Sequence, residues 1–172
     1  LPAVGMFSIR SRLSAAEPAA MPPGKPTSKV AGVQLGLNVP YSFVSPLMSG
    51  ADILKNCLQL GLSAVELRTQ PVEAFLGVPA ILISPKNSKP PRDATANAEQ
   101  LRQWRKSVSM DRVKEFRDKY EAAGVLIEIV KVDGIFQMPD DDLDYAFALA
   151  KALGGRAIST EISHQDEELK RL

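Results

Sequence analysis

Glu66 and Arg68 stand two residues apart in the short run AVELR. On a strand, both side chains would leave the same face. A carboxylate beside a guanidinium makes a charge-assisted pair able to orient hydroxyl groups or a phosphate. The competing reading is a purely structural ion pair. Other chemistry-bearing residues end or follow similar apolar runs. Asn38 and Tyr41 come at the end of GVQLGLNV and suit a pocket floor, although Asn38 also precedes Val39-Pro40 and suits a turn. Lys131, with Asp133 two residues on, follows VLIEIV. Its ammonium could stabilise an enediolate-like anion, or simply be solvated. Glu161 follows Thr160 in AISTEI. It could accept a substrate hydrogen bond or support a metal ligand, or merely finish the strand in a polar residue.

Other candidates carry less. His164 is the single histidine, so any two-histidine mechanism is excluded within the chain, and a cap or surface role suits it better than a base. Asp140, Asp141 and Asp142 lack the spacing and glycine of a calcium loop; favourable interaction with a helix dipole explains them. Lys86, Lys89 and Arg92 lie in a Pro-rich stretch, Thr69 to Ala96, read as a loop that is either an anion-binding lid or a solvated insertion. Trp104, flanked by Arg102 and Arg105, reads as a core anchor in line with Leu101 and Val108 rather than as a nucleic-acid stacking platform.

The elements that must position these residues repeat. Residues 1–28 read as a disordered leader or signal-peptide remnant, and 29–172 as one domain. LPAVGMF and LSAAEPAA resemble the end of a signal peptide without its charged start, so periplasmic export and a cytoplasmic location both stay open. A strand is expected over Gly32 to Val39, and a helix over Ala51 to Leu60 with Ser49 as N-cap and Gly61 as its stop. A second strand follows at Ala64 to Arg68. Helix resumes near Asn97 and runs to Ala123, then Val125 to Val130 forms the third strand. Asp140 to Asp142 open a helix that buries Leu143, Ala146, Phe147, Ala150 and Leu153. The fourth strand is Ala157 to Ile162, and a charged helix starts near His164. Four strand–helix units predict an α/β fold with parallel strands. Periodicity alone leaves open a doubly wound sheet or part of a barrel.

Composition narrows the function. The 172 residues carry 45% hydrophobic and 24% charged side chains, and 21 basic against 20 acidic groups leave a net charge of +1. That balance offers no footprint for nucleic acid or an anionic membrane, and no apolar run reaches the roughly 20 residues of a membrane span. Cys57 is alone, which excludes an intrachain disulfide and a cysteine-built zinc site. Glycine-rich dinucleotide and P-loop motifs are absent after the first strand.

The runs GVQLGLNVPYSF and ILKNCLQLGLSAVELRTQPVEAFLGVP, with the later KYEAAGVLIEIVKVDG and ALAKALGGRAISTEI, resemble the sugar phosphate isomerase/epimerase family, which is xylose isomerase-like. The resemblance covers residues 30–165. It implies the first four units of a TIM (β/α)8 barrel, as a fragment or a half-barrel, since a full barrel needs about 250 residues. In such barrels chemistry sits at the C-terminal strand ends, which is where Asn38, Tyr41, Glu66, Arg68, Lys131 and Glu161 fall. The resemblance gives these six substrate-binding roles toward a small sugar or sugar phosphate. It also implies metal-assisted proton transfer on a carbohydrate. The divalent metal (Mn, Mg, Co or Zn) would be held by Glu, Asp and His on strands five to eight, so no ligand and no catalytic residue is assigned here. Expected partners are the missing C-terminal half, a complementary chain or a second copy. The alternative is a non-catalytic sugar-binding or assembly half-barrel. The endonuclease branch of the same fold is disfavoured by the absence of a basic stripe.

Overall fold

The computed structural model describes residues 24–45, 47–83 and 94–172. Most of the leader, and Lys86, Lys89 and Arg92, lie outside these residues.

The expected first strand is split in two. Lys29–Val30 (β1) and Val33–Gln34 (β2) form an antiparallel hairpin. Ala31 and Gly32 between them both take positive φ, 49° and 84°, as a tight two-residue hairpin turn demands. Only Leu37–Val39 (β3) enters the main sheet. Gly36 separates the two because a Cβ there would sit 2.8 Å from the Ala64 carbonyl oxygen.

Helix α1 is Gly50–Gln59, capped by Ser49 Oγ, which accepts from the Asp52 N–H at 3.1 Å. Its first residue must be glycine, since a Cβ would collide with the Phe116 ring. Strand β4 is Ala64–Arg68, as expected. The stretch after it is not a simple loop. Thr69–Phe75 is helical (α2), with Pro71 tolerated in the first turn, where an N–H has no helical partner. Ala80–Ile83 (α3) follows. The single helix expected from Asn97 to Ala123 is two, Ala94–Ser107 (α4) and Met110–Ala123 (α5). Ser109 breaks them by accepting from the Asp111 N–H at 3.3 Å.

Leu126–Lys131 (β5) leads to Asp140–Ala152 (α6), then Ala157–Ser159 (β6) and Asp166–Arg171 (α7). Phe147 does not belong to the buried face of α6; it is 48% exposed, and Tyr145 and Leu149 are buried instead.

The fold is α/β. β3, β4, β5 and β6 lie side by side in that order, all parallel. Strands in sequential order joined by right-handed crossovers place their helices on one face. The burial agrees. Val39, Val65, Leu67, Ile127 and Val130 point into one apolar cluster with Ile53, Val72, Phe116, Tyr120 and Leu149 from the helices. Each such fully buried side chain contributes about 1.5–3 kcal/mol. Their neighbours along the strands, Asn38, Glu66, Arg68, Ile129 and Lys131, are half-buried on the other face. Trp104 packs against the core cluster, as its spacing predicts.

Candidate functional site

The polar sheet face gathers its charge at the C-terminal strand ends. Asn38 pairs in register with Glu66, Arg68 with Lys131, and Lys131 with Ser159. A β-bulge sets this alignment. Val65 faces Ile127, but Glu66 faces Ile129, so Glu128 is passed over. An unbroken register would have set Glu128 beside Glu66 and the apolar Val130 beside Arg68. The bulge separates the two carboxylates and brings Lys131 alongside Arg68.

The side chains link across the strands. Arg68 forms an ion pair with Asp133 and lies over the Tyr41 ring, 5.4 Å from its centroid. Lys131 Nζ is 3.3 Å from Asp133 Oδ1 and 3.5 Å from Glu161 Oε1. Ser159 donates from Oγ to Glu66. Glu161 accepts from Thr160 Oγ1 at 2.8 Å and from the Gly134 N–H at 2.9 Å. Partial burial works against the charged form of Glu161, but these hydrogen bonds and the nearby Lys131 outweigh it and pull its carboxyl down to about 2. Glu161 therefore stays ionised and is a weak proton acceptor near neutrality.

Asn38 Oδ1 and Arg68 Nε are buried with no hydrogen-bond partner among the described residues. A buried polar atom without a partner costs about 1–3 kcal/mol, and such an atom beside a ligand site suits a ligand hydroxyl. Tyr41 is 71% exposed, so it forms a rim rather than a floor. All six residues read from the sequence thus lie on or beside the strand ends, but the expected Glu66–Arg68 pair does not form among the described residues: Arg68 pairs with Asp133 and Glu66 accepts from Ser159. Ser159 was not foreseen; its tie to Glu66 joins residues 93 apart in the chain. His164 is exposed and makes no hydrogen bond or ion pair among the described residues. Cys57 is fully buried in the core, and burial pushes its thiol up to about 11, which removes it as a nucleophile.

A second charged group lies behind the strand ends. Glu73 on α2, 1% exposed, takes two donors of Arg105, Nε at 2.9 Å and a terminal nitrogen at 2.8 Å, both on Oε1. Arg105 also meets Asp142 Oδ1 at 3.3 Å, and Arg102 Nε lies 3.5 Å from Asp142 Oδ2. Asp142 is thus more than a helix-dipole residue. Burial raises the Glu73 carboxyl despite the Arg105 guanidinium. Sequence periodicity gave no sign of this network, because Glu73 sits in a stretch read as loop.

No group of three or more His, Cys, Asp and Glu side chains among the described residues is arranged to hold a metal ion. Asp133 and Glu161 are already engaged by Arg68 and Lys131, and Glu66 by Ser159. No described helix is long and apolar enough to cross a membrane. Comparisons with models of known families, with curated proteins and with solved structures each find no match.

Proposed function

We propose that this chain is the sugar-holding part of a carbohydrate isomerase or epimerase, built as the first four units of an eight-stranded (β/α) barrel. One observation carries the reading. Arg68, Lys131 and Glu161 are linked, Arg68 and Lys131 through Asp133, at the C-terminal ends of parallel strands laid down in sequential order, with Asn38 and Glu66 on the same sheet face and helices on the opposite one.

The cluster suits hydroxyl groups better than a phosphate. Three carboxylates (Glu66, Asp133, Glu161) stand against two cations (Arg68, Lys131), and both cations are already engaged. Glu66 and Glu161 would accept from sugar hydroxyls, Asn38 Oδ1 would gain the donor it lacks, and Arg68 would donate. Tyr41 would lie at the rim against a ring face. The divalent metal implied by the resemblance does not fit these residues, because Lys131 bridges Asp133 and Glu161, Arg68 holds Asp133, and Glu66 is taken by Ser159. Its ligands would be others, and no step is routed through it.

A non-catalytic sugar-binding half-barrel is the second reading. It is favoured by Glu161 being held in its ionised form by Thr160, the Gly134 N–H and Lys131, which makes it a poor base.

The test is a titration of the chain with D-xylose, followed by amide shifts in 1H–15N spectra. The proposal expects shifts centred on Glu66, Arg68, Lys131 and Ser159, and a binding loss of tenfold or more in Arg68→Met. Shifts elsewhere, or none, would overturn it. Deuterium exchange at the carbon beside the sugar carbonyl separates an isomerase from a binding module.

A further inference from the structure

A cavity of about 360 Å³ opens between α2, α3, α4, α6 and the segment after β5. That volume falls at the small end of ligand pockets. It shares only Asp133 with the strand-end cluster. Part of the lining is polar. Thr69 and Gln70 make no side-chain hydrogen bond among the described residues, and Tyr145, 7% exposed, has a buried hydroxyl that interacts with the Glu73 carboxylate and has no other partner among those residues. The apolar part of the lining includes Leu82, Leu101 and Met138.

The charges in this cavity are spoken for. Glu73 is matched by Arg105 at 2.8 Å, Asp142 by Arg105 at 3.3 Å and Arg102 at 3.5 Å, and Asp133 by Lys131 at 3.3 Å. An ionic ligand would have to displace one partner and leave a buried charge uncompensated, which is strongly unfavourable. Burial raises both Glu73 and Tyr145 above their ordinary ranges, as a poorly hydrated floor should. What stays open to a ligand is uncharged: the Thr69 hydroxyl, the Gln70 amide and the lone pairs of the Tyr145 hydroxyl, whose proton faces Glu73.

We propose that this cavity is a second ligand site, taking a small uncharged molecule with an apolar body and a hydroxyl group. The body packs on Leu82, Leu101 and Met138, and the hydroxyl meets Tyr145 Oη or the Thr69 and Gln70 side chains. The inference stands on its own geometry and not on the isomerase reading. A polyol would be a poor occupant, since Leu82, Leu101 and Met138 offer its hydroxyls no hydrogen bond.

The test titrates the full chain with benzyl alcohol, toluene, xylitol and inorganic phosphate, again reading amide shifts. Benzyl alcohol is expected to shift Gln70, Leu101 and Tyr145. Toluene should bind about tenfold more weakly, the factor expected for one lost hydrogen bond. Tyr145→Phe keeps the ring beneath Arg105, which lies 5.2 Å from its centroid, and should erase most of the preference for benzyl alcohol over toluene. Thr69→Val is the second variant should Tyr145→Phe unfold, and should reduce the same preference. Equal binding of toluene and benzyl alcohol would overturn the proposal, as would a preference for xylitol or phosphate at these amides, or no shift there at all. Failure of xylose to bind at the strand ends leaves these outcomes unchanged, so the two readings fail separately.

Discussion

Lys131 Nζ stands 3.5 Å from a carboxylate oxygen of Glu161, joining the end of β5 to the segment after β6. The contact helps to hold Glu161 ionised, but it ranks behind the hydrogen bonds from Thr160 and Gly134. Lys131→Met should therefore raise the Glu161 carboxyl part of the way from about 2 toward 4.5, and Thr160→Val should raise it further. Carbon-detected titration of the Glu161 side chain reads both. A larger rise in Lys131→Met would reverse the ordering.

The depressed Glu161 carboxyl also links stability to acid. Its folded value, about 2, lies below its unfolded value near 4.5. Its contribution is fully present above pH 4.5 and is lost as pH falls toward 2. Its side chain is 49% exposed, so screening keeps the effect below about 1 kcal/mol. Urea midpoints for the native chain and Glu161→Gln should differ by a constant amount above pH 5 and converge near pH 2. A gap that persists at pH 2 would contradict the assignment.

Glu73 and Arg105 are a buried pair, and removing Glu73 leaves Arg105 with Asp142, 3.3 Å away, as its remaining partner among the described residues. Glu73→Ala should destabilise the fold by about 3 kcal/mol, the low end for a broken buried pair. The double variant Glu73→Leu with Arg105→Met should recover most of that loss, since the ionised pair carries a desolvation cost that apolar side chains of similar volume avoid. Chemical denaturation of the two variants checks the prediction, which fails if the double variant is the less stable.

Gly50→Ala tests the contact between α1 and α5. Its new methyl would meet the Phe116 ring, and overpacking of this kind costs about 1–3 kcal/mol. Phe116→Leu in the same chain should make the alanine easier to accommodate. Thermal melts of the two single variants and the double variant should be non-additive; additive shifts would show that Phe116 is not what excludes the methyl.

Sequence patterning located what depends on local chemistry. β4 runs over Ala64–Arg68 as read, Ser49 caps α1, and β5 is displaced by one residue. The hairpin before β3 was missed because Val30-Ala31-Gly32-Val33 lacks the Asn-Gly signal usual for its turn. Helix α2 was missed because Pro71 and polar neighbours read as loop, although proline is acceptable in a first turn. The six strand-end residues were legible because strand ends can be read from apolar runs. The bulge at Glu128, the Ser159 tie to Glu66 and the Glu73–Arg105–Asp142 network were not. Each depends on where separate segments meet, and no spacing within one segment encodes that.

The hairpin of β1 and β2 is held mainly through Ser63, whose N–H and hydroxyl meet Ser28, and whose hydroxyl also meets Gln34. Two strands of two residues each bury little, and Val30 and Val33 are 60% and 62% exposed. This flap can peel away while β4 and β5 stay shut. Its amides should take up deuterium long before those of Val65 and Val130, and a Ser63→Ala chain should hasten the flap's uptake while leaving the interior clock unaltered.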